Sequence, residues 1–272
     1  MAATEPDPRP APGATTAEER PLFRVDEVGV RFGGLVALDE VSLSVAPGEV
    51  HGVIGPNGAG KTTLFNICCG FVRPSTGTLH WHGEPVRGLR PHQLARMGIA
   101  RTLQGVGLFR GLTVLENVMV GADRHHRAGF GSALLALRRS DSDERALRER
   151  ARAVLAELGT DSYADRLPGS LPYPVQKRVA LARALVADPE MLLLDEPASG
   201  LGADDMAELG TRIRSLRERM GVVLVEHHMD LVMSVCDRIT VLDFGRVVAK
   251  GSPDQVRDDP AVIDAYLGEA AQ

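Results

Sequence analysis

Two segments carry residue types that handle phosphate. The first is Gly55-Pro56-Asn57-Gly58-Ala59-Gly60-Lys61-Thr62, followed by Thr63. Small residues in such a loop let consecutive backbone N–H groups converge on phosphate oxygens. Lys61 would meet the β- and γ-phosphates, and the Thr62 hydroxyl would ligate Mg²⁺. The second is the apolar run Met191-Leu192-Leu193-Leu194, ending in Asp195-Glu196-Pro197. A carboxylate at the tip of a buried strand, Asp195, can hold Mg²⁺ directly or through water. Glu196 is the candidate to polarise an attacking water. Alone, the first segment could be a turn and the second a helix cap; together they describe a site that binds and hydrolyses ATP.

Two further side chains are candidates on position. His227 lies just past the apolar strand Val222 to Val225, where an imidazole can contact the γ-phosphate and help position water. His228 beside it reads as solvated or locally bonded. Gln104 lies where the core passes into a helical section; its amide can bind Mg²⁺ or water and report nucleotide state to the helices. Taken by itself, Gln104 reads as a surface glutamine.

These groups need elements to place them. Phe23, Val25 and Val28 predict a first strand and Ser42 to Val45 another. Pro47-Gly48-Glu49 turns the chain into the apolar strand Val50 to Ile54, which runs into the glycine-rich loop, and a helix begins at Thr62. The stretch from about Pro91 to Ala187 is helical in character, with Glu, Arg, Ala and Leu at helical spacing over Asp143 to Leu158. Gly121 to Ser142 reads as a loop or insertion, with His125-His126 on its surface. Further on come a helix from Val179 to Val186, the strand at Met191, a helix over Met206 to Arg219, the strand Val222 to Val225 and a helix over Asp230 to Cys236. Ile239 to Leu242 and Arg246 to Val248 flank Asp243-Phe244-Gly245 as a hairpin, and Pro260 to Leu267 forms a last helix. Alternating strands and helices interrupted by a helical stretch predict an α/β core with an inserted helical subdomain.

Composition narrows the class. A formal charge of -5 leaves no electrostatic footprint for nucleic acid. Cys68, Cys69 and Cys236 read as buried or half-buried thiols rather than a disulfide framework. No apolar stretch approaches the roughly 18 residues that cross a bilayer. Residues 1–21, rich in Pro, Ala, Thr and acid, read as a disordered tail without the apolar region of a signal peptide.

With these motifs in hand, the chain from about Leu22 to Gly268 resembles the ATP-binding subunits of ABC transporters, and within them the branched-chain amino acid uptake family. The resemblance implies a P-loop NTPase core of ABC type, an α/β fold with an N-terminal antiparallel β portion. It implies one ATPase domain over 22–268 with the helical subdomain inserted at about 91–187. Gly55 to Thr62 matches Walker A, Met191 to Asp195 Walker B with Glu196 as catalytic glutamate, and Gln104 the Q-loop. Ser199-Gly200-Leu201-Gly202 matches the D-loop, with Gly202 where Asp is frequent, and His227 matches the switch histidine. Phe32 falls at the aromatic position that stacks on adenine. The subfamily likeness rests on Arg31-Phe32-Gly33-Gly34-Leu35, on Leu108-Phe109-Arg110 with Leu112 to Val118, on Val225-Glu226-His227-His228-Met229, and on Val262 to Gly268.

The family implies ATP and Mg²⁺ as cofactors and import of leucine, isoleucine and valine, while relatives handle urea or other small amides. It implies two membrane-spanning permease subunits, a second and different ATP-binding subunit, an extracytoplasmic solute-binding protein and no nucleic acid. The place of work would be the cytoplasmic face of the membrane. A soluble ABC-type regulatory protein and a binding module that has lost hydrolysis are the other readings. The signature Leu-Ser-Gly-Gly-Gln is replaced here by Leu171-Pro172-Tyr173-Pro174-Val175. Pro174 lacks a backbone donor where glycine is expected. In the family the signature closes over the opposite subunit's ATP, so this departure from it predicts an asymmetric pair: the site on this Walker A hydrolyses and the other is slow.

Overall fold

The computed structural model describes residues 21–102, 105–122 and 138–270. Gln104, His125-His126 and all but the last residue of the predicted tail lie outside the described residues. Two sheets make the frame. The six-stranded sheet has the order β10-β9-β3-β8-β7-β6. Its strands are β3 (Val50–Ile54), β6 (Ile99–Arg101), β7 (Met191–Asp195), β8 (Gly221–Val225), β9 (Arg238–Asp243) and β10 (Arg246–Gly251). All neighbours pair parallel except the β9–β10 hairpin. The four-stranded sheet, order β2-β1-β4-β5, is antiparallel and holds β1 (Phe23–Phe32), β2 (Leu35–Val45), β4 (Thr76–Trp81) and β5 (Glu84–Val86).

The central strands are apolar on both faces because both faces are covered. Residue alternation sorts them between two cores. Leu192, Leu194, Val222 and Leu224 face the helical side with Val179, Ile213 and Leu231. Leu193, Val223 and Val225 face the other side with Val25, Val28 and Leu43 of the antiparallel sheet. Helix α1 (Lys61–Cys68) buries Leu64, Phe65, Ile67 and Cys68 in that second core, so it lies between the sheets.

Among the described residues the other α-helices are α2 (Leu94–Met97), α3 (Val114–Val120), α4 (Arg138–Glu157), α5 (Tyr173–Leu185), α6 (Ala203–Leu216), α7 (Met229–Val235), α8 (Pro253–Arg257) and α9 (Pro260–Ala270). Helices α3, α4 and α5 pack on one another as a helical unit. The predicted helical span Pro91 to Ala187 nevertheless contains β6, which pairs with β7 in the core sheet. Short strands such as β5 and β6 give too few residues for a period to show. Helix α5 begins at Tyr173, six residues before the predicted start, because Pro172 provides its N-cap and Pro174 is tolerated in its first turn.

The phrase Leu108 to Val118 proves architectural. Thr113 and Glu116 form a reciprocal capping box at the start of α3, Glu116 N donating to Thr113 Oγ1 at 3.2 Å and Thr113 N to Glu116 Oε2 at 2.7 Å. Asn117 is fully buried and ties down the preceding loop. Its amide donates to the carbonyls of Phe109, Leu112 and Thr113, and its Oδ1 accepts Phe109 N at 2.7 Å.

Candidate functional site

The glycine-rich loop leaves β3 and enters α1. Gly55, Gly58 and Gly60 hold φ of 149°, 79° and 99°, conformations that favour glycine. A Cβ on Gly55 would collide with the carbonyl of Leu242, and one on Gly60 would stand 2.8 Å from the carbonyl of Ala37. The loop is therefore clasped from outside by neighbouring backbone. Gly245 in the β9–β10 turn donates to the carbonyl of Ala59 at 3.0 Å and accepts from Asp39 N at 2.8 Å, strapping the turn between loop and β2. Lys61 Nζ donates to the carbonyls of Gly55 and Pro56, both at 2.7 Å, so its ammonium is folded back over the loop.

Asp195 ends β7 and is half-buried. Burial pushes its pKa up, and the Glu196 and Glu226 carboxylates push it further, with Arg101 opposing. Such crowding of carboxylates is the electrostatic setting that a divalent cation relieves. Glu196 follows with φ 45°, its N–H donating to Val225 O at 2.9 Å. His227 follows β8, half exposed, with Nδ1 3.8 Å from Glu196 Oε1. Thus the Gly55 loop, the Asp195-Glu196 pair and His227 stand at the C-terminal ends of β3, β7 and β8, which are neighbours in the sheet. In open α/β sheets this is the edge where ligands bind.

Other sequence candidates fall as follows. Phe32 closes β1 opposite Leu35 at a hairpin tip and is 52% exposed, an aromatic face available for stacking. Pro56 is buried under the loop, Asn57 is exposed, and Thr62 and Thr63 lie in the first turn of α1. The structure does not describe Gln104. His228 is locally bonded, as its position suggested: its Nδ1 donates to Glu226 Oε2 at 2.9 Å.

Glu226 was not singled out by the sequence. It has no exposed surface and also accepts Ala198 N at 2.8 Å through Oε1. Burial would raise its pKa, but hydrogen bonds from His228 and from the backbone N–H groups of Ala198, His227 and His228 bring it below the usual carboxylate value. Its legible signal was a glutamate directly after five buried strand residues. Lys177 was also missed; its Nζ donates to the carbonyl of Glu196 at 3.3 Å. Burial lowers its pKa, with the Glu226 and Glu196 charges opposing.

At the start of α5, Pro172 is the N-cap and Pro174 the second helical residue. The missing N–H of Pro174 therefore breaks no intrahelical bond. It does remove one of the amides that point out of the helix end.

A parallel core with a glycine-rich loop between β3 and α1 and an acidic pair at the end of β7, the next strand but one, defines a P-loop nucleotide-binding protein. A family model described as ABC transporter matches residues 38–199, and one described as branched-chain amino acid ATP-binding cassette transporter matches residues 246–272. The high-affinity branched-chain amino acid transport ATP-binding protein BraF of Pseudomonas aeruginosa is 44% identical over 257 residues, covering 92% of this chain and 99% of BraF. LivG of Escherichia coli, which bears the same description, is 44% identical over 256 residues with the same coverages. The crystal structure of the ADP conformation of an ATP-binding cassette of an ABC transporter superposes with a TM-score of 0.79 at 30% identity, covering 92% of this chain and 99% of that one. The chain belongs to the ABC transporter ATP-binding family. It is a nucleotide-binding, ATP-hydrolysing transporter component, and among the described residues no helix is long and apolar enough to cross a membrane.

Proposed function

We propose that this chain energises import of branched-chain amino acids through a membrane permease. The observation that carries the chemistry is the placement of Lys61, Glu196 and His227 at adjacent strand ends of one sheet. The similarity to BraF and LivG over nearly their whole length supports the solute class.

In this reading the N–H groups of the Gly55 to Thr62 loop and the N-terminus of α1 hold the phosphates. Lys61 exchanges the carbonyls of Gly55 and Pro56 for phosphate oxygens, and Phe32 stacks on the adenine. Thr62, Asp195 and Gln104 would hold Mg²⁺, whose charge neutralises the phosphates; hydroxyl, carboxylate and amide oxygens suit that hard cation. Glu196 takes the proton of the attacking water as the water oxygen bonds to the γ-phosphorus and the bond from that phosphorus to the β,γ-bridging oxygen breaks, releasing ADP and phosphate. His227 orients that water and the γ-phosphate.

Of the two permease subunits, one would dock in the groove lined by Leu94, Ala95, Phe109, Val120 and Arg183, and the other on the second ATP-binding subunit. Phe109 and Val120 are about half exposed there, and Arg183 donates to the carbonyl of Gly107, on the segment that follows Gln104. Closure against a second, different ATP-binding subunit, and reopening after hydrolysis, would drive the permease, which receives solute from an extracytoplasmic binding protein. The chain would thus work at the cytoplasmic face of the membrane.

Copurification from native membranes through a tag on this chain tests the reading. Two permease chains and a second ATPase are expected in the complex. A homodimer without permease would overturn it.

A further inference from the structure

We propose that Glu226 is the positioning residue that holds the Glu196 turn and the His227 turn in a single geometry. The inference rests on reading Glu196 and His227 as the hydrolytic pair.

Glu226 sits between β8 and α7 with no exposed surface. A carboxylate is costly to bury unless hydrogen bonds replace its water. Four do so here. Oε1 accepts the N–H of Ala198, two residues beyond Glu196, at 2.8 Å. Oε2 accepts the N–H of His227 at 2.9 Å, the N–H of His228 at 3.2 Å and Nδ1–H of His228 at 2.9 Å. One oxygen thus anchors the chain after β7, and the other anchors the chain after β8.

The last of these bonds reaches His227 through a second ring. Donation from His228 Nδ1 sets the tautomer and orientation of that imidazole. The His228 ring then lies 4.1 Å from the His227 ring, centroid to centroid, at 38°. His227 Nδ1 is 3.7 Å from Glu226 Oε2 and 3.8 Å from Glu196 Oε1, both beyond hydrogen-bond length. The His227 ring is therefore placed by its neighbour's face rather than by a bond of its own.

Ligand atoms of Glu226, His227 and His228 gather within 4.8 Å, near enough for a transition-metal set. Glu226 Oε2, however, already accepts three N–H groups. Its lone pairs are committed, so the cluster orients side chains instead of ligating a metal.

Glu226→Gln keeps the volume but turns one oxygen into a donor facing N–H groups. His228→Phe keeps a ring beneath His227 without the Nδ1–H donor. ATPase kinetics of the assembled transporter and ¹⁵N-imidazole spectra of the full-length chain are the readouts, with melting temperature measured alongside. For Glu226→Gln we expect ATP affinity to stay near wild type while kcat falls about 10- to 100-fold. The Nδ1–H signature of His228 should disappear and the His227 resonances should move. His228→Phe should keep more kcat than Glu226→Gln. A wild-type kcat in Glu226→Gln, or kcat, affinity and melting temperature falling together, would overturn the proposal. An assembly whose wild type does not hydrolyse ATP would instead overturn the hydrolytic reading. The spectra of the chain would then still decide the role of Glu226, with an unmoved His227 signal in Glu226→Gln counting against it.

Discussion

Lys177 Nζ donates to the carbonyl of Glu196 across 3.3 Å, tying the helix that carries the signature to the residue that follows the Walker B strand. The same ammonium lies 5.6 Å from the ring centroid of Tyr173, and a Cβ on Gly200 would stand 3.0 Å from that ring. One contiguous set of contacts therefore links the start of α5 to the turn that follows β7. Lys177→Met removes a charged donor from this set. We expect a loss of about 1–2 kcal/mol, read as a melting temperature about 2–8 °C lower, with ATP affinity unchanged.

The phosphate loop should separate binding from chemistry. Lys61→Ala should abolish ATP binding and leave the far-ultraviolet circular dichroism spectrum as it was. Glu196→Gln should keep ATP binding and lower kcat by about 10²–10⁴-fold, the range for a positioned base. Equilibrium binding and single-turnover hydrolysis on the two variants check the division of labour.

Two loop glycines should respond differently to the same methyl group. Gly58 has open space around its missing Cβ and only a φ of 79° to oppose substitution, so Gly58→Ala should cost about 1–2 kcal/mol. Gly55 is pressed on the Leu242 carbonyl, so Gly55→Ala should cost about 3 kcal/mol and misplace the loop. Urea unfolding of both variants makes the comparison.

Acid should loosen the far end of β3. Glu49 is buried, which would raise its pKa, but His51 and the Ala46 N–H bond to it and Arg238 lies 4.0 Å away, so the net shift is downward. A carboxylate depressed on folding stabilises fully above its unfolded value, about pH 4.3, and loses that contribution as pH falls through its lower folded value. Melting temperature should therefore decline over that acidic window, less steeply in Glu49→Gln.

The signature carries its own test. Only Tyr173 and Val175 offer N–H groups at the first three positions of α5, since Pro172 and Pro174 have none. Each lost donor to a transferring phosphoryl group is worth about 2–4 kcal/mol where it is used. Disabling Glu196 should abolish most of the transporter's ATPase activity, and disabling the corresponding glutamate of the partner subunit should remove little. Equal, unimpaired turnover after either change would refute the asymmetry.

Legibility in the sequence followed chemical uniqueness. The Gly55 to Thr62 loop and Asp195-Glu196 were readable because few residue types can wrap phosphate or end a buried strand in two acids. The core strands β3, β7, β8 and β9 and helices α6, α7 and α9 are readable from apolar runs and breakers, whereas of β2 only Ser42 to Val45 is. Strands β4, β5 and β6 were not, because β5 and β6 have only three residues each and β4 is largely exposed. Glu226 was overlooked because a glutamate after a strand looks solvated until its four N–H partners are seen together. Lys177 was hidden for the same reason: its acceptor is a backbone carbonyl 19 positions away.

Uptake by reconstituted vesicles shows whether hydrolysis at Glu196 drives branched-chain amino acid import. The complex copurified through this chain would be placed in proteoliposomes with the solute-binding protein, ATP on the side of this subunit and labelled leucine on the other. ATP-dependent leucine accumulation is expected with the wild type and none with Glu196→Gln. Equal accumulation by both, or uptake of urea with none of leucine, would contradict this expectation.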